Sequence, residues 1–88
     1  MPSTQLILPK GNIKEKDTTI HTAADLGRLV RETRKQQALT QIDIAGLGNT
    51  GNRFIVDLEN GKPTVQLQKT LDIMALLGLE VVVRAKGA

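Results

Sequence analysis

The chain has 88 residues, 40% of them apolar, a net charge of +3, one phenylalanine, no tryptophan or tyrosine and no cysteine. That allows one small domain with an aliphatic core, marginal enough that a second copy is expected to complete it. It excludes a disulfide frame, a thiol nucleophile, a cysteine-held zinc and the stacking of single-stranded bases on aromatic rings; with no apolar run near ~18 residues and no signal peptide, a soluble, cytoplasmic protein is expected.

Residues 1–21 form an N-terminal arm. Its apolar run Gln5, Leu6, Ile7, Leu8 suits an edge strand stopped by Pro9, and a polar stretch follows. His21 is the single histidine, so no metal site is expected. Thr22 and Asp25 have the S/T-x-x-D spacing of a capping box, which starts a helix at Ala23 that fades near Gln37. Leu26, Leu29, Val30 and Thr33 make its buried stripe, with Arg28, Arg31 and Lys35 on another face.

Thr40 and Asp43 repeat the capping box, so a second helix begins at Gln41 with Ile44 and Ala45 as its apolar face. Gly46, Gly48, Asn49 and Gly51 stop it, because each glycine in a helix loses about 1 kcal/mol relative to alanine. Asn49 suits a left-handed turn, and Gly51 caps a third helix that runs from Asn52 to Asn60 and ends at Gly61. Ile55 and Leu58 point inward, which leaves Asn52, Arg53, Val56 and Asp57 on other faces.

The last helix is capped by Thr64 or Gln66 and runs to Leu77, with Leu67, Leu71 and Met74 toward the core and Ile73 and Leu76 on a neighbouring stripe. Gly78 ends it. The β-branched run from Leu79 to Arg84 then reads as a strand in a chain that offers no sheet to join. Alone it would leave backbone groups unpaired and Leu79, Val81 and Val83 exposed. Antiparallel pairing with the same strand of a second chain, covered by Ile73 and Leu76 and edged by residues 5–8, is the expected dimer interface. There is no Walker loop, GxSxG or paired carboxylate site, so neither catalysis nor a cofactor or metal is expected.

Two short helices joined by a glycine-containing turn, the second carrying Asn and Arg in its first turn, form a helix-turn-helix. Leu39-Thr40-Gln41, Ile44-Ala45 and Ile55-Val56-Asp57-Leu58-Glu59-Asn60-Gly61 resemble the Xre (Cro/C1-type) family across residues 22–78, with a departure in the glycine-rich turn. Within the family the resemblance is strongest to HipB-like antitoxins. It rests there on Asn52-Arg53-Phe54, on Glu59-Asn60-Gly61-Lys62-Pro63-Thr64, and on the ending Leu77-Gly78-Leu79-Glu80-Val81-Val82-Val83-Arg84.

The resemblance implies a mainly α, lambda-repressor-like domain of four to five helices over residues 22–78, followed by a dimerisation strand and tail in residues 79–88. It implies that Arg34 pairs with Glu59, and that the protein is a repressor that binds inverted-repeat operator DNA as a homodimer and neutralises a HipA-like Ser/Thr kinase toxin. Gln41 and Lys62 are candidates for holding phosphates, and Thr50, Gly51, Asn52 and Arg53 for reaching base edges. Thr40, Phe54, Val56, Asp57 and Thr64 complete the candidate DNA-binding set. A stand-alone Xre regulator and a helical interaction module without DNA binding are the alternatives.

Overall fold

Thr22 starts the first helix as its spacing dictates. Its hydroxyl accepts from the Asp25 N–H at 3.0 Å, while the Asp25 carboxylate accepts from the Thr22 N–H at 3.2 Å and the His21 N–H at 3.0 Å. The computed structural model describes residues 17–87, in which α1 spans Ala23–Gln36, α2 Gln41–Leu47, α3 Asn52–Glu59 and α4 Leu67–Leu76. The Thr40–Asp43 box opens α2 in the same reciprocal way, and Gln66 rather than Thr64 caps α4. Residues 1–16, with the run at 5–8, lie outside the described part.

These boxes give stability a pH dependence of known sign. The backbone N–H of His21 is the main cause that holds the Asp25 carboxyl below its usual range, and the N–H of Thr40 does so for Asp43. A carboxylate with a depressed folded pKa contributes stability above its unfolded value of ~3.9, and loses it as pH falls through the folded value. Thermal melts followed by circular dichroism should therefore show the midpoint dropping between about pH 5 and pH 2. Joint Asp25→Asn and Asp43→Asn replacement should flatten that drop; an unchanged pH slope would refute the assignment.

All four helices end in one motif. The residue after each cap is left-handed: Ala38 (φ 60), Asn49 (φ 53), Gly61 (φ 81) and Gly78 (φ 83). The next N–H returns to a carbonyl of the last turn, Leu39 to Arg34 at 3.1 Å, Thr50 to Ala45 at 2.9 Å, Lys62 to Asp57 at 3.0 Å and Leu79 to Met74 at 2.9 Å. Each connection thus leaves its helix in a fixed direction. Asn49 tolerates this conformation, whereas Ala38 carries steric strain of roughly 1–2 kcal/mol.

Val30, Ile44, Ala45, Ile55, Leu58, Ile73, Met74 and Leu77 form the core, with Leu26, Leu39, Phe54, Val65 and Leu79 packed against it. Where α1 meets the end of α3 the contact is backbone on backbone. A Cβ at Gly27 would collide with the Leu58 carbonyl oxygen and lie 2.8 Å from that of Glu59, and one at Gly61 would come 2.7 Å from the Ala24 Cα. Leu26 and Leu29 are only half-buried, while Gly27 and Arg34 join Val30 and Thr33 inside.

The last helix is rotated from its expected setting. Its inner face is Thr70, Ile73 and Met74, followed by Leu77, and Leu67 is 71% exposed. The bare backbone of Gly48 leaves room for the Ile73 side chain, and Thr70 is tolerated inside because its hydroxyl donates to the Gln66 carbonyl at 2.8 Å. Ile73, expected on a stripe facing a second chain, is 1% exposed and has no surface to offer one. Leu76 keeps about half of its surface.

Residues 79–85 have no regular structure and no ladder partner among the described residues, which do not include the run at 5–8. Val81, Val82 and Val83 are exposed. Val81 and Val82 help line a groove of about 430 Å³ with Leu26, Leu67, Leu71 and Met74, and two others of its lining residues pair, the Arg84 guanidinium with the Asp17 carboxylate at 2.8 Å. No helix among the described residues is long and apolar enough to cross a membrane.

Candidate nucleic-acid interface

The turn from Gly48 to Gly51 delivers α3 with an open N-terminus. Gly51 caps it without a side-chain bond, so the partial positive charge of the first-turn N–H groups faces outward beside exposed Asn52 and Arg53. The Arg53 side chain is 86% exposed, yet its Nε donates to Asp57 Oδ1 at 3.1 Å. The other oxygen of Asp57 accepts from Lys62 Nζ at 3.5 Å. One half-buried carboxylate therefore holds two cations on the outer side of α3.

Other residues of the candidate set divide by what they are already bonded to. Phe54 is half-buried and packs against the core, and the Lys69 ammonium stands 5.6 Å from its ring centroid, within cation–π range. Thr40 is exposed but its hydroxyl serves the α2 cap, and Thr64 is exposed in the loop before α4. Val56 is half-buried; the Thr50 hydroxyl oxygen is buried and without a partner. Lys69, in the first turn of α4, is an addition to which sequence reasoning gave no role.

Behind this surface sits an ionic joint. Arg34 donates from Nε to Glu59 Oε2 at 2.6 Å and from Nη2 to Oε1 at 2.9 Å, and its Nη1 donates to the Leu39 carbonyl at 2.7 Å. Both side chains are buried, and the hydrogen bonds to Glu59 are the main cause that raises the Arg34 pKa above its ordinary value. Gln41 Nε2 adds a bond to Glu59 Oε1 at 3.1 Å. Glu59 thus locks α1 and α2 onto the end of α3, and Arg34 ties in the α1–α2 loop. The Gln41 amide spends one of its two N–H donors there and keeps the other.

No protein-family model matches the chain. The uncharacterized HTH-type transcriptional regulator y4mF of Sinorhizobium fredii (strain NBRC 101917 / NGR234) is 50% identical over 68 residues, which cover 77% of this chain and 90% of that relative. Among solved structures, the HipB-O4 20mer complex superposes with a TM-score of 0.73 at 20% identity, over 80% of this chain and 99% of HipB. The chain matched in the HipA-HipB-O2-O3 complex gives the same TM-score, identity and coverage. At that identity the likeness establishes the fold.

Proposed function

The chain belongs to the HTH-type transcriptional regulators, and we propose that within them it is a sequence-specific repressor that acts as the HipB-like antitoxin of a type II toxin–antitoxin pair in the cytoplasm. The observation that carries this reading is a HipB-like fold over nearly the whole of HipB, with α3 presenting an exposed Arg53 beside an open helix N-terminus. Two solved structures with that fold are a HipB complex with an O4 20mer and a HipA-HipB-O2-O3 complex, which supports duplex operator DNA and a HipA-like Ser/Thr kinase as partners here.

The mechanism is occupancy of an operator. α3 lies in the major groove, Asn52 and Arg53 reach base edges, and the remaining N–H of Gln41, the Lys62 ammonium and the α2 and α3 N-termini hold phosphates. Two copies joined through residues 79–84 read an inverted repeat. Phe54 serves as packing that fixes the pitch of α3.

Arg53→Ala should weaken binding to the selected operator by about 1–3 kcal/mol and relax preference at one base pair, measured by gel shift against single-position variants. An equal loss on every duplex would make Arg53 a phosphate contact instead. The toxin half of the proposal is tested by tagging the chain in its native operon: co-purification of the neighbouring gene product as a kinase supports it. Purification of the chain alone, with operator binding intact, favours a stand-alone regulator, which is all that the name of the 50% identical relative describes.

A further inference from the structure

We propose that Asp57 is a positioning residue for base reading: it touches no DNA, and it holds Arg53 so that the guanidinium presents its outer edge to one guanine. This rests on the reading that α3 enters the major groove. Arginine has five N–H donors, and the single one on Nε is the donor that Asp57 Oδ1 takes at 3.1 Å. The four on Nη1 and Nη2 have no partner among the described residues, and that pair of nitrogens matches the O6 and N7 acceptors of guanine.

The ion pair makes little sense as a support for the helix. Arg53 stands in the first turn and Asp57 near the last, so each charge opposes the helix dipole. Basic-before-acidic is also the weaker order for an i, i+4 pair. In α1 and α2, by contrast, the first-turn charges are acidic and serve caps. Both Asp57 oxygens are already engaged, by Arg53 and by Lys62, rather than held out to accept from a cytosine amino group, and a carboxylate beside phosphates is repelled. What the arrangement achieves is to bias a long, 86% exposed side chain toward one pose, and to keep Lys62 at 3.5 Å on the opposite oxygen.

The test uses the full chain and two duplexes, one selected by the wild type from a random-sequence pool and a scrambled one of equal length and composition. Asp57→Ala should cut the preference between them about tenfold, with the loss concentrated at the base pair that Arg53 reads. Its affinity for the scrambled duplex should hold or rise, because a negative charge has been removed. Asp57→Asn keeps an oxygen to accept from Arg53 Nε and should retain most of the preference. In an Arg53→Ala background, Asp57→Ala should remove nothing further.

Equal weakening on both duplexes, or an Asp57→Ala chain that keeps the wild-type preference, would overturn the role of Asp57 while leaving DNA recognition intact. A wild type that selects no duplex overturns DNA recognition itself, and this inference falls with it.

Discussion

Glu59→Ala should cost about 3–5 kcal/mol, because it leaves the Arg34 guanidinium buried with only the Leu39 carbonyl for company. Against the roughly 5–15 kcal/mol that holds a small domain folded, that is a large share of the total. It also strips the Gln41 amide of its partner, so the start of α2 loosens together with the end of α3. Replacing the pair with apolar residues, Arg34→Met with Glu59→Leu, should recover much of the loss, since the cost lies in an unpaired buried charge rather than in a missing attraction. Urea unfolding of the three proteins decides the matter. A Glu59→Ala loss below about 1 kcal/mol would mean that the joint is solvated and worth no more than a surface pair.

The second large effect concerns residues 80–88. A chain ending at Leu79 keeps the N–H that closes α4 on Met74, so the helical body should fold with an unchanged helical signal. It loses Val81, Val82 and Val83, which stand exposed with no ladder partner among the described residues, at a groove lined in part by leucines. Sedimentation should report a monomer. Operator affinity should fall by about 10²-fold or more, because two reading helices set ~34 Å apart no longer bind as one unit. A truncated protein that still sediments as a dimer and binds normally would move the interface to exposed helix residues such as Leu67 and Leu76.

What the sequence disclosed about this fold follows the range of the forces involved. The Thr22–Asp25 and Thr40–Asp43 boxes, the Asn49 turn and the Gly61 stop are decided within four residues, and each stands where its spacing puts it. The setting of α4 is decided by its neighbours. Six apolar residues surround it, so periodicity alone favoured Leu67, whereas the space left by Gly48 draws in Ile73. Gly27 carried a cue in its cost to α1, but the Leu58 and Glu59 carbonyls that require it are far away in sequence. Ala38 gave none, since nothing in its side chain asks for φ 60. In the candidate site, Arg53 and Asp57 were legible as outward-facing residues of α3 and their bond was not, while the bond from Gln41 to Glu59 exists only once α2 and α3 are folded together.

The seam at Gly27 and Gly61 bears on how such proteins diverge. Because α1 meets the end of α3 through main-chain atoms, and Ile55, Leu58 and Glu59 anchor the same side, the joint shares no side chain with Asn52 or Arg53 on the outer surface. Those two positions can be rewritten without disturbing the fit that holds the helix in place. A duplicated copy could therefore drift to a new operator through a few surface substitutions and still fold, which would let sibling regulators in one cell stay deaf to each other's sites.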